Sequence, residues 1–118
     1  MANDKDFKVN GPVVVGKDTK VTVGSISSSA INLATGNYFD DTLAADTTYT
    51  ISNAGDVQSF QLEVTGASTY TITWPSSIEW AGGIAPAAPA NGETDVYTFT
   101  TDDTGTSYTG VKSIDNAS

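Results

Sequence analysis

Two pairs of adjacent carboxylates, Asp40-Asp41 and Asp102-Asp103, are the nearest this chain comes to catalytic chemistry. A glycosidase needs two carboxyl groups flanking one bond. Neighbours on a strand point to opposite faces, so Asp40 and Asp41 are expected to diverge. Asp102-Asp103-Thr104-Gly105 reads as a turn, where aspartate serves the backbone. Both pairs offer oxygen to a hard cation such as calcium, yet the spaced D-x-D-x-D-G loop is missing and no metal site is assigned. Histidine and cysteine are absent. That removes the commonest general base, the commonest thiol nucleophile and the usual zinc ligands. No serine sits in a G-x-S-x-G elbow, and no glycine-rich loop ends in Lys-Ser or Lys-Thr. No catalytic, cofactor-binding or metal-binding residue is named, and the chain is not expected to be an enzyme.

Aromatic side chains offer a different kind of chemistry, that of contact. Trp80, between Glu79 and the Ala81-Gly82-Gly83 loop, could stand exposed with Tyr97 and Tyr108 as a platform for a host glycan or a partner protein. The reading preferred for Trp80 itself is that it folds back as a lid over the core.

The elements that must position these residues read as strands. Tyr49 and Ile51 lie between Thr48, Thr50 and Ser52, and Phe60, Leu62 and Val64 alternate with Gln61 and Glu63. Tyr70, Ile72 and Trp74 alternate with Thr71 and Thr73. Each run has one apolar and one polar face, the pattern of a half-buried strand. Gly66-Ala67-Ser68 suits a hairpin that would set Phe60, Leu62 and Val64 beside Tyr70, Ile72 and Trp74 as the centre of the core. Burying six such side chains is worth about 1.5–3 kcal/mol each. Residues 81–92 hold two prolines among alanines and should be extended and irregular. Val96, Tyr97 and Phe99, then Tyr108 and Val111, mark two final strands, with Gly105 suited to the left-handed position of the turn between them. Helix is expected to be minor.

Residues 1–25 differ from the rest. Phe7, Val9, Val13, Val15, Val21 and Val23 fall in short runs cut by glycine, each too thin to bury its own apolar face. They read as an arm that packs on another chain or another protein, a pair of ordinary edge strands being the alternative, followed by a head domain over 26–118. The 118 residues suffice for one core. Net charge is −9, with five lysines and no arginine, so neither nucleic acid nor an anionic membrane is an expected partner. No stretch reaches the ~20 apolar residues of a membrane span. Met1 to Asp6 lacks the apolar run of a secretory signal, so synthesis in the cytoplasm is expected.

The segment Ile72-Thr73-Trp74-Pro75-Ser76-Ser77-Ile78-Glu79-Trp80-Ala81-Gly82-Gly83-Ile84-Ala85-Pro86 resembles a pattern of tailed-bacteriophage virion proteins, particularly the tail-fibre-like proteins of marine phages. Asp95-Val96-Tyr97-Thr98-Phe99 and the turn to Tyr108-Thr109-Gly110 are similar to the same family, as are Phe7 to Gly11 and Val13 to Gly16. Asp103-Thr104-Gly105 stands where the family usually has Gly-Gly, and Tyr108 stands where tryptophan is common. The resemblance implies a structural protein of the virion, made in the host cytoplasm, whose partners are other virion proteins of capsid or tail. It carries over no catalytic residue. Relatives of this kind are often attached to a longer fibre, so a chain without fibre repeats is expected to be a small capsid-surface decoration protein. A tail-fibre-like or host-glycan-binding module is the alternative.

The fold expected is all-β, a β-sandwich or jelly-roll-like domain with an extended N-terminal arm. A homo-oligomer is expected, a trimer favoured, with the arm's apolar side chains buried between chains.

Overall fold

Strict alternation of Phe60, Leu62 and Val64 with polar residues produces the longest strand of the sandwich, with one face fully buried and the other exposed or half-exposed. The structure is a computed structural model and describes Gly24 and residues 26–116. In chain order the strands are β1 (Ile26–Ser27), β2 (Ala30–Asn32), β3 (Tyr38–Thr42), β4 (Thr47–Thr48), β5 (Thr50–Ser52), β6 (Gln58–Thr65), β7 (Ile72–Thr73), β8 (Ile78–Trp80), β9 (Thr94–Thr101) and β10 (Tyr108–Ile114). One 3-10 turn, Ala81–Gly83, follows β8, with Gly82 in the left-handed region. The arm residues Phe7, Val9, Val13, Val15, Val21 and Val23 lie outside the described residues.

One sheet has five strands in the order β3-β6-β9-β10-β8. Its centre is antiparallel, with Phe60 opposite Phe99 and Leu62 opposite Tyr97. Both outer pairings are parallel: β3 on β6, with Phe39 opposite Leu62, and β8 on β10, with Ile78 opposite Tyr108. The second layer is built around residues 47–52. There β5 pairs with β2 in parallel, and β4 pairs with β7 in parallel. Tyr49, between β4 and β5, donates its N–H to the Thr73 carbonyl, and Thr50 donates to Ser29 on the other side. The two short pairings are therefore one continuous layer, with β1 antiparallel to β2 at its margin. Jelly rolls are wound from antiparallel strands. The mixed pairing seen here makes this a β-sandwich.

The expected hairpin between β6 and the Tyr70–Trp74 run does not form. β7 crosses to the second layer, so Trp74 meets Tyr97 edge-on and Phe99 at a tilt across the sandwich, with ring centroids 4.9 and 5.6 Å apart. The cause lies at Gly66. Its N–H donates to the Glu93 carbonyl, and its own carbonyl accepts from Gly92 N–H. Residues 89–92 thus occupy the place that a returning strand would need. A β-carbon on residue 66 would lie on top of the Ala90 and Pro89 carbonyl oxygens, so only glycine lets the two backbones approach. By contrast, the final two strands pair antiparallel as the sequence suggests, with Gly105 at φ 82° in their turn.

Gly24 marks where the arm meets the head. Its N–H donates to the Tyr38 carbonyl at 2.7 Å, on the free edge of β3.

Gly66→Ala is expected to destabilise the head by about 1–3 kcal/mol, the cost of overpacking against rigid backbone. Gly55→Ala, where the nearest atom to an added β-carbon is a glutamine side-chain oxygen at 3.6 Å, should change stability by less than about 0.5 kcal/mol. Urea denaturation midpoints check both. Equal effects at the two positions would contradict the account of the Gly66 crossing.

Candidate functional site

Trp80, Tyr97 and Tyr108 do not form an exposed platform. Tyr97 and Phe99 project from β9 into the sandwich and are 0% exposed, while Tyr108 on β10 is 3% exposed. Tyr97 donates its hydroxyl to the Ala87 carbonyl at 3.4 Å. The Tyr108 ring meets Phe60 edge-on at 6.1 Å. Trp80 is half-buried and packs against Trp74 at 5.2 Å and Phe99 at 5.5 Å. It closes one end of the core. The lid is the arrangement found, because strand β8 places Ile78 and Trp80 on the inward side of β10 and Glu79 on the outward side.

The carboxylate pairs do not converge. On β3, Asp40 is exposed beside Glu63, whereas Asp41 accepts the Tyr49 hydroxyl at 2.7 Å. Asp103 organises its own turn. Its carboxylate accepts Ser107 N–H and Oγ–H at 2.9 and 2.7 Å and Thr101 Oγ–H at 2.8 Å. The bonds from Ser107, then that from Thr101, hold Asp103 below the usual carboxylate range. Asp102 beside it is exposed. No group of three metal-ligating side chains occurs among the described residues.

A buried ion pair, absent from the reading of the sequence, lies between β9 and β10. Asp95, with its side chain 1% exposed, faces Lys112 Nζ at 2.9 Å, and its other oxygen accepts Asn116 N–H. The Lys112 ammonium also lies 5.9 Å from the centre of the Tyr97 ring. This pair ties the end of β10 to the start of β9, where the ladder skips a residue between Lys112 and Ile114. The available signal was the charge distribution. Lys112 is the single cation after Lys20, against eleven acidic residues over the same stretch. A lone lysine in so acidic a segment is a candidate for a fixed partner. Its arrangement is that of a structural tie, because Asp95 is enclosed and reaches no cleft.

A cleft of about 550 Å³ opens between the 68–72 segment and the 86–91 loop. Tyr70 is half-buried on one wall and Pro89 is buried on the other. The segment is fixed by Thr71 N–H donating to Asp46 and by Ser68 N–H donating to Asn91 Oδ1. None of the lining residues is charged. Above it the chain from 80 to 92 is also uncharged, with Ile84 79% exposed at the end of the Gly82-Gly83 turn.

Comparison with known proteins finds no match: no protein-family model, no curated protein and no solved structure is significantly similar to this chain.

The enclosed phenols predict alkaline sensitivity. Burial, then the bond to Asp41, pushes the Tyr49 phenol far above its ordinary value; burial, then the Asp95 charge, does the same for Tyr97. Native protein keeps these protons while the unfolded chain loses them near pH 10. Stability is therefore full below that value and falls as pH rises beyond it, by about 1.4 kcal/mol per pH unit for each such tyrosine. Urea melts between pH 8 and 11.5 should show the fall, and Tyr97→Phe should make it shallower by one tyrosine's share. An unchanged slope in that variant would contradict the assignment.

Proposed function

We propose that this chain is a non-enzymatic structural protein of a tailed-phage virion, a small decoration protein that packs on the repeating surface of the capsid. The observation that carries the reading is the segregation of charge and grease along the chain. Residues 1–25 hold four of the five lysines and three of the fourteen acidic residues, a net charge of 4 − 3 = +1. The remainder holds one lysine and eleven acidic residues, a net charge of 1 − 11 = −10. A weakly positive arm with valines in short runs and an acidic globular head complement one another between copies. Within one chain, Lys112 is already committed to Asp95. The arm therefore acts as the connector, joining heads into a homotrimer and holding them on the virion. Like-charged heads keep neighbouring copies apart and soluble at high local concentration.

The resemblance over residues 72–86 and 95–110 supports a virion protein of capsid or tail. Their role in this head is internal. Trp74 and Trp80 are core aromatics, and the Gly82-Gly83 turn carries the loop above the cleft. A tail-fibre-like or host-glycan-binding role is the second reading, favoured by that uncharged cleft.

Cryo-electron microscopy of the intact particle should place copies at regular positions on the capsid surface. Recombinant protein should rebind particles stripped of it. Exchanging Lys5, Lys8, Lys17 and Lys20 for glutamine should weaken rebinding by roughly tenfold or more at low salt, with the difference shrinking as salt is raised. Copies confined to the tail would favour the second reading. Undiminished rebinding by the fourfold variant would remove the arm from the mechanism.

A further inference from the structure

Some hydroxyl groups of this protein bond one another, and others are left open to solvent. Across the outward face of the five-stranded sheet they bond one another. Ser59 meets Thr100 at 2.7 Å, Thr65 meets Thr94 at 3.0 Å, and Thr98 donates to Ser113 at 3.0 Å. Around the cleft they do not. Ser68, Thr69, Tyr70 and Thr71 line it together with Asn91, and none of the four hydroxyls has a hydrogen-bond partner among the described residues. Asn91 uses its side-chain oxygen to accept Ser68 N–H, which leaves its NH2 group as a donor. Pro86 and Pro89 give the opposite wall carbonyl acceptors without matching N–H donors.

From this arrangement we infer that the cleft between residues 68–72 and 86–91 is a binding site for a neutral saccharide, with Tyr70 as its stacking surface. The chemistry is complementary in three respects. A sugar ring presents an apolar face of C–H groups to an aromatic ring and a rim of hydroxyls to polar partners. The half-buried Tyr70 ring supplies the first, and the unpaired hydroxyls and the Asn91 amide supply the second. Hydrogen bonding to a ligand satisfies these groups without displacing any bond the fold depends on. The third respect is charge. The cleft contains no ionisable carboxylate, lysine or arginine, on a head of net charge −10, so it has no group to fix an anionic sugar and no specific partner for a cation. The volume of about 550 Å³ suits one or two sugar units at the end or side of a longer chain.

This site differs from the Trp80, Tyr97 and Tyr108 platform that the sequence suggested, whose two tyrosines are enclosed in the core. It is also independent of how the arm docks. Failure of sugar binding leaves particle attachment untouched, and failure of particle attachment leaves the cleft intact.

Titration of the full chain with uncharged oligomers of glucose, galactose, mannose and N-acetylglucosamine, followed by amide NMR, tests the inference. At least one oligomer should shift amides confined to residues 68–72 and 87–92. Tyr70→Ala and Asn91→Ala should each lower its affinity by roughly tenfold. Tyr70→Phe should retain most of the binding, since stacking survives loss of the hydroxyl. Thermal melts of each variant separate loss of binding from loss of fold. Shifts elsewhere, binding undiminished in folded Tyr70→Ala, or no shift from any oligomer of the panel at millimolar concentration would overturn the assignment.

Discussion

Everything in the head depends on a layer of aromatic rings clamped between two sheets. Trp74 is its hub, with ring centroids 5.4 Å from Tyr49, 5.2 Å from Trp80, 4.9 Å from Tyr97 and 5.6 Å from Phe99. Phe60 extends the layer, stacking on Phe99 at 5.0 Å and meeting Phe39 edge-on at 6.0 Å. Pairs of this kind add about 0.5–1.5 kcal/mol each beyond the area they bury. The second sheet needs them. Its strands β4, β5 and β7 run for two or three residues each, too short to be held by their own ladders. Tyr49, Ile72 and Trp74 make that sheet part of the fold by reaching into the first one.

Committing the rings to the interior decides what remains for contact. Outside the core the head offers a hydrogen-bonded face of serines and threonines, an acidic surface, an uncharged loop ending in Ile84 and the Tyr70 cleft. None of these is a large apolar patch of the sort that obligate partners bury. In the proposed role the apolar contact comes instead from the arm, and Gly24 near its end bonds to Tyr38 on the open edge of β3. In the proposed role the head supplies the fold and the arm supplies the association.

Much of this was legible in the residues. Period-two patterning located β6, β9 and the residues around Tyr49, since a strand with one buried face must alternate. The turn at Gly105 was legible because a left-handed backbone favours glycine. What escaped was partner choice. Nothing local distinguishes a strand that returns beside β6 from one that crosses to the opposite sheet. The decision is made at Gly66 by a loop more than twenty residues later in the chain. Tyr97 and Tyr108 were misplaced for a related reason: tyrosine is amphipathic, and its hydroxyl suits an interface or a buried carbonyl equally well. Parallel pairing of β8 with β10 was equally hidden, since a three-residue strand carries no signal of direction. The ion pair of Asp95 with Lys112 rests on proximity between chain positions seventeen apart, brought together by the register of β9 and β10.

The most direct test of a self-sufficient head joined through its arm compares two masses in solution. Light scattering on the full chain, and on a chain beginning at Gly24, reports the association state of each at micromolar concentration. The account predicts a trimer for the full chain and a folded single copy for the shortened one, with the near-ultraviolet signature of the aromatic layer preserved. A full chain that is itself a single copy would contradict it, as would a shortened chain that still assembles.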